Sequence, residues 1–259
     1  MFQNLGLQLY TIRQFLFDPE FADLSFRRVH EMGYTEAHVA GYSFDATLFG
    51  ELLKKNGLRI VGNHASLEDI LYHPEQVIDF HRAWGTTNVG IGGIPNEARA
   101  SVEGLKKFVQ QYNVAAEQFA KEGFKLTFHH HNYEFEKIDG VKTIMDVLAE
   151  EFDPNNISFV LDTCWVAAGG GDVCTWIKKL AGRIDILHLK DLAVVIKNAT
   201  KPDLILTEIG NGNLYWDGIM DAAEQAGVKH YVVEQDENFS PTPFESLRIS
   251  AEYLKKYQK

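Results

Sequence analysis

Residues 121–136 read KEGFKLTFHHHNYEFE: the close of a helical pattern, a glycine at Gly123, a short apolar run, then three histidines, His129, His130 and His131. A segment that reads as buried and then breaks into imidazoles is a strand delivering side chains to a pocket. The same phrase of helix, glycine, strand and polar residues recurs along the chain. Gly33 precedes EAHVAGY, Gly57 precedes LRIVGNH and Gly85 precedes TTNVGIGG; later, Gly182 precedes RIDILHLK and Gly227 precedes VKHYVVEQD. Glycine suits the position after a helix because a left-handed residue there carries no Cβ penalty. Two further strands, at 5–10 and 157–161, bring the count to eight.

Helical patterns follow the strands at 19–32, 45–56, 74–84, 101–122, 140–152, 172–181, 216–226 and 243–257. Their starts carry matching signals. Asp18 precedes Pro19, Thr242-Pro-Phe-Glu245 has the form of a capping box, and Asp45 and Asp172 stand where an N-cap belongs. Strict alternation of strands and helices implies parallel pairing through right-handed crossovers. Eight such units predict an α/β fold, a single (β/α)8 TIM barrel domain spanning residues 1–259. A doubly wound open sheet is the alternative, and the lack of a glycine-rich phosphate fingerprint after the first strand counts against it. The longest interruption, 190–215, holds two apolar pieces around a turn at 198–202, and reads as a functional loop: a lid or a pocket wall. Gly210 and Gly212 would let the chain turn tightly there.

Bulk composition narrows the function classes. Of 259 residues, 45% are apolar and 24% charged, ordinary for a globular protein with a sizeable core. The net charge of -11 disfavours a nucleic-acid partner, which needs basic surface to displace counterions. Cys164 and Cys174 lack the spacing of a disulfide framework or a CxxC motif. No run approaches the roughly 18 apolar residues of a membrane span, and the start has no secretory pattern, so a cytoplasmic location is expected. A homo-oligomer is compatible with all of this.

In a barrel the C-terminal strand ends converge on one face. The polar residues at those ends are Gln8 and Tyr10, His38, Asn63 and His64, the three histidines 129–131, Asp162, His188 and Lys190, and Glu234 and Asp236. Alternation puts His129 and His131 on one face and His130 on the other. A lone histidine is more often a core or surface residue than a ligand. Here Asp162, His188 and Glu234 end the sixth, seventh and eighth strands in succession, and with His129 or His131 they form a four-ligand set. Two imidazoles and two carboxylates suit manganese, zinc, cobalt or iron better than magnesium. Asp191 and Asp236 read as outer or solvated groups. Lys190 can face a substrate oxyanion, or simply pair with Asp162 or Asp191. Trp165 and Trp216 could wall a sugar ring, and Gln8, Tyr10 and His38 are further candidate substrate contacts.

With these residues in place, the chain resembles the sugar phosphate isomerase/epimerase family of xylose isomerase-like TIM barrels. That family includes ketose 3-epimerases, inosose dehydratases and, more distantly, endonuclease IV. The likeness runs from LGLQLYTIR at Leu5 to VVEQD at Val232. It is carried by HHHNYEF, LDTCWVAAGGGD, HLKD and EIGNGNLYWDGI, resembling the family's HNHxxEF, LDxxWxxxxGxD, HLKD and GxGxxxW/D segments. The resemblance implies a divalent metal held by His129, Asp162, His188 and Glu234, with histidine at the first of these where the family has glutamate. His38 likewise stands where relatives often carry glutamate. It implies a sugar or keto-sugar substrate and an enediolate formed by loss of an α-proton. Glu234, His131 or Glu134 would take that proton, and His64 or Lys190 would serve the oxygen or a leaving group. The enediolate can be reprotonated, as in an isomerase or epimerase, or can expel a β-substituent, as in a dehydratase or 3-keto-glycoside lyase. The absence of a basic run favours an unphosphorylated substrate. A non-catalytic sugar-binding barrel and an endonuclease IV-like phosphodiesterase are the readings from other classes; the ligand set and the acidic balance weigh against them.

Overall fold

A computed structural model describes residues 2–198 and 201–259 of the chain. In order, the elements are β1 (Leu5–Gln8), α1 (Pro19–Glu31), β2 (Tyr34–Val39), α2 (Ala46–Lys55), β3 (Arg59–His64), α3 (Leu67–Tyr72), α4 (Pro74–Trp84) and β4 (Asn88–Ile91). Then come α5 (Asn96–Arg99), α6 (Val102–Lys121), β5 (Lys125–His129), α7 (Ile144–Glu151), β6 (Ile157–Asp162), α8 (Thr163–Ala168), α9 (Val173–Lys179) and β7 (Ile184–Leu189). The chain ends with β8 (Asp191–Asn198), β9 (Lys201–Thr207), α10 (Trp216–Ala226), β10 (His230–Val233) and α11 (Pro243–Leu254). Eight strands close into a parallel barrel in the order β1-β10-β7-β6-β5-β4-β3-β2. The expected (β/α)8 architecture is therefore present.

The six glycines that follow helical patterns, Gly33, Gly57, Gly85, Gly123, Gly182 and Gly227, all have positive φ, from 72° at Gly85 to 98° at Gly33. The caps hold as well: Asp18, Asp45, Asp172 and Thr242 each accept a backbone N–H from the first turn of their helix. Glu245 departs from the capping-box reading, since its carboxylate binds Arg248 instead. Helix 140–152 starts later than its apolar pattern, at Ile144, because Thr143 and Asp146 form a reciprocal cap there. The short helices α3, α5 and α8 lack the length that makes a helical period legible.

Inside the barrel, Val61, Val160, Ile186 and Val232 form their own apolar cluster, separate from the larger layer between strands and helices. Side chains two apart along a strand share a face. Val160, Ile186 and Val232 thus fix Asp162, His188 and Glu234 as inward-facing at the C-terminal mouth. Register supports this, with Asp162 paired to His188 and Val232 also opposite His188.

The long interruption is not an irregular loop. β8 and β9 form a two-stranded antiparallel ribbon, with Val194 opposite Leu204 and Asp191 opposite Thr207. The expected turn at 198–202 lies in part outside the described residues. The ribbon's base is tied by Asp191, which the sequence reading left as an outer or solvated group. It is fully buried, and its carboxylate accepts the Gly210 and Gly212 N–H groups and the Trp216 indole N–H at 2.6 Å. A Cβ on Gly212 would lie 2.2 Å from that carboxylate, so the glycine is required by close approach. Trp216 is consequently a buried anchor and not a substrate wall.

Candidate metal centre

Four ligand atoms meet at the barrel mouth. One from each of His129, Asp162, His188 and Glu234 lies within 4.8 Å of all the others, and all four residues are buried. Glu234 Oε2 stands 2.9 Å from His188 Nδ1, and Asp162 Oδ2 stands 3.6 Å from His129 Nε2 and 3.9 Å from His188 Nδ1. Despite this proximity, His129 Nε2, Asp162 Oδ2, His188 Nδ1 and Glu234 Oε2 all lack an aligned hydrogen-bond partner. Buried polar atoms are nearly always satisfied, so two imidazole and two carboxylate atoms aimed at one point, none with an aligned hydrogen bond, fit a cation site.

The surrounding contacts orient these atoms. The His129 Nδ1–H donates to the Gly92 carbonyl at 3.2 Å, which leaves the Nε2 lone pair free. His38 Nδ1 lies 2.9 Å from both His188 Nε2 and Gln8 Nε2. With His38 Nδ1 accepting, His188 donates from Nε2 and keeps its Nδ1 lone pair for the site. Asp162 divides its carboxylate: Oδ1 accepts the Trp165 N–H at 3.0 Å and caps α8, while Oδ2 faces the cluster. His130 points the other way, where its Nε2 accepts the Asp162 N–H. The histidine triplet thus gives one imidazole to the cluster, one backbone anchor and one cavity wall.

Lys190 sits against the same carboxylates. Its Nζ lies 2.9 Å from Glu234 Oε2, 2.9 Å from Asp236 Oδ2 and 3.3 Å from Asp162 Oδ2, with no pairing to Asp191. Thr163 Oγ1 holds the Lys190 backbone at both its N–H and its carbonyl. Burial opposes the ammonium, but the three carboxylates overcome it and raise its pKa well above 10.5. Burial likewise pushes Asp162 up, yet Lys190 and His129 hold it at about 2. At Asp236, burial and the Glu234 charge raise the pKa to about 6.

A cavity of about 420 Å³ opens over the cluster, lined by Gln8, Tyr10, His64, His129, His131, Lys190 and Glu234 among others. The remaining expected site residues fall elsewhere. His38 is wholly buried behind His188, so it orients that imidazole and does not wall the cavity. Glu134 is buried too, its two oxygens accepting the His131 and Ile94 N–H groups, and burial raises its pKa to about 7. Its position braces the loop after β5 and does not face the cluster. Trp165 lies beside His131 at 5.6 Å between ring centres, with Lys190 Nζ 4.8 Å from its own ring centre.

Arg13, Asp236 and Glu237 also line the cavity. Sequence reading passed over Arg13, although a cation three residues beyond Tyr10 is a visible signal. It packs on the Tyr10 ring at 4.1 Å and donates to the Asp236 carbonyl, which joins the loops after β1 and β10.

Comparison with known proteins bears on this geometry. An inosose dehydratase from Geobacillus thermodenitrificans (strain NG80-2) is 26% identical over 151 residues, 52% of this chain and 49% of that protein. The match thus spans about half the length of that relative. A crystal structure of a sugar phosphate isomerase/epimerase from Parabacteroides distasonis ATCC 8503 superposes with a TM-score of 0.79 at 22% identity, covering 97% of this chain and 93% of that one. A structure of an IOLI protein with a bound zinc atom gives a TM-score of 0.71 at 16% identity, covering 96% of each chain. At these identities the two structures establish the shared fold. The family model for the xylose isomerase-like TIM barrel matches residues 26–257, and the chain belongs to that family.

Proposed function

We propose that this protein is a divalent-metal-dependent enzyme that moves a proton at the carbon next to the carbonyl of a sugar or keto-sugar. The observation that carries the reading is the convergence of four unsatisfied, buried ligand atoms under a cavity that also holds a lysine ammonium. His129, Asp162, His188 and Glu234 would hold the cation. When bound, a divalent ion supplies Lewis acidity, polarising a carbonyl and easing loss of the adjacent proton. The relatives support a sugar substrate: an inosose dehydratase in sequence, and a sugar phosphate isomerase/epimerase in structure. The zinc in the IOLI protein is in keeping with a two-histidine, two-carboxylate set.

The chain's own groups divide the remaining work. Glu234 belongs to the cluster and also lines the cavity, which supports its assignment as the group that accepts the α-proton. Lys190, fixed by three carboxylates, donates to an oxygen that gains charge as the proton leaves. Tyr10 and Arg13 line the same cavity.

A second branch, elimination of a β-substituent, is favoured by one feature. His129 stands on β5 where the family resemblance calls for glutamate, and Glu134 spends both oxygens on backbone N–H groups. No second cluster carboxylate is then left on the β5 side to return a proton to the opposite face. Expulsion of a leaving group needs only one base, with Lys190 as the donor.

The test is proton exchange in deuterated solvent with the metal-loaded protein and a panel of ketoses and 3-keto-sugars, followed by NMR. We expect exchange at the carbon next to the carbonyl. Glu234→Gln should slow it by about 10²–10⁴-fold, the range for loss of a general base. Full turnover in chelator-treated, metal-free protein would refute the reading.

A further inference from the structure

A second cavity, of about 560 Å³, lies beside the first between the loops after β2 and β3. The two share Ala40 and His64 as common lining, so they meet at that junction. Each by itself falls within the roughly 300–1,000 Å³ of a small-molecule site, so together they hold more than one sugar ring needs. The chemistry of the second cavity differs from that of the metal-lined one. It has no cluster of potential ligands beyond the shared His64, but is flanked by the partly exposed rings of Tyr42 and Phe80 and by Asn63, Asp69 and Gln76. Tyr42 is stacked on Phe49 at 4.4 Å and Phe80 packs on Trp84 at 4.2 Å, which fixes both rings in place. Asn63 is held by the ring of His81. Among the described residues the side chains of Asp69 and Gln76 make no hydrogen bond or ion pair, although both line the cavity.

Fixed aromatic rings set among uncommitted amide and carboxylate groups are suited to a hydroxylated ring, whose C–H face packs on an aromatic surface while its hydroxyls hydrogen-bond around it.

We propose that this cavity is a second glycosyl subsite, and that the substrate is a two-ring glycoside spanning the junction at Ala40 and His64. The inference rests on the sugar reading of the metal-lined cavity. One ring would lie over the cluster, and its partner between Tyr42, Phe80, Asp69 and Gln76.

Calorimetric titration of the Mn²⁺-loaded full chain with glucose, cellobiose, maltose and gentiobiose tests it. At least one disaccharide should bind about tenfold or more tightly than glucose, the gain expected from one or two added polar contacts. Tyr42→Ala, which removes a ring lining the second cavity and not the metal-lined one, and the exposed pair Asp69→Ala with Gln76→Ala should each erase that advantage. Glucose affinity and Mn²⁺ content should stay unchanged in both. Equal affinity for one and two rings, or equal weakening of both sugars in the variants, overturns the subsite while leaving the metal reading intact. A two-ring advantage that persists in protein unable to bind Mn²⁺ supports the subsite and counts against the metal reading. Failure of every sugar to bind overturns the subsite together with the substrate class.

Discussion

Replacing Asp162 with asparagine separates the two jobs of one carboxylate. Oδ1 caps α8 through the Trp165 N–H at 3.0 Å, and asparagine is as good an N-cap as aspartate, so the helix should survive. Oδ2 is the atom left without a hydrogen bond, 3.3 Å from Lys190 Nζ and 3.6 Å from His129 Nε2. Burial raises this carboxyl's pKa, but Lys190 and His129 prevail and hold it at about 2, below its ordinary 3.8. A depressed folded-state pKa gives stability that is complete above the unfolded value and is lost as pH falls through the folded one. The gap is worth about 2 kcal/mol at pH 7. In cation-free protein Asp162→Asn should therefore lower Tm by about 4–8 °C, at 2–4 °C per kcal/mol for a chain of this size.

Cation binding then discriminates. A cation at a hundredfold excess over its Kd stabilises the wild type by about 2.7 kcal/mol, or about 5–10 °C. The variant, having lost an anionic ligand, should show almost none of that rise. Differential scanning calorimetry of both proteins, chelated and Mn²⁺-loaded, reads the two effects separately. An unchanged metal-induced rise in the variant would remove Asp162 from the ligand set.

Three further outcomes follow from the same geometry. Lys190→Met leaves Asp162, Glu234 and Asp236 facing one another, and should cost about 3–5 kcal/mol in cation-free protein. Added Mn²⁺ should raise its Tm by more than it raises that of the wild type; a smaller rise would show that the ammonium does not share the cation's charge. Metal affinity should fall as pH drops through the His129 pKa, which lies above its ordinary 6.5. Burial lowers the His129 pKa, but the Asp162 and Glu234 carboxylates more than restore it, so a cation must displace a proton there. Titrations at several pH values check this, and a flat profile would mean that no imidazole proton is displaced. Trp216→Phe removes the indole bond to Asp191 and should cost about 1–3 kcal/mol with metal content and sugar binding intact. Lost binding at unchanged stability would return Trp216 to the site.

What was legible in the sequence follows from the range of the interactions involved. The glycine stops and caps are local devices, and they mark the barrel's repeat without help from tertiary structure. Strand alternation is local too, so His129 and His131 could be set on one face and His130 on the other, whereas the inward face of Asp162, His188 and Glu234 emerges only from the packing of Val160, Ile186 and Val232 inside the barrel. The failures are residues whose role depends on distant chain. Asp191 carries the same local signal as a solvated loop aspartate, and only the return of Gly210, Gly212 and Trp216 buries it. Glu134 stands in a family-like motif, yet the Ile94 N–H arriving from the neighbouring loop draws its carboxylate away from the cavity. The ribbon escaped notice because two short apolar pieces give no period longer than a loop would.

The histidine on β5 is easier to understand from charge than from ligand type. Asp162, Glu234 and Asp236 bring three negative charges to the buried mouth, and Lys190 returns one positive charge. A divalent cation would bring the sum to zero with neutral imidazoles at His129 and His188. Glutamate at position 129 would leave the same enclosed site one charge short of balance, and an uncompensated charge in a low-dielectric interior is costly. The Gly92 carbonyl makes the exchange workable, because it takes the His129 Nδ1–H and leaves Nε2 as a neutral donor to the cation. Histidine there preserves the ligand count while giving up a base. On the proposed reading, the chemistry left to Glu234 and Lys190 is therefore one-sided, a proton taken by one group and an oxygen served by the other.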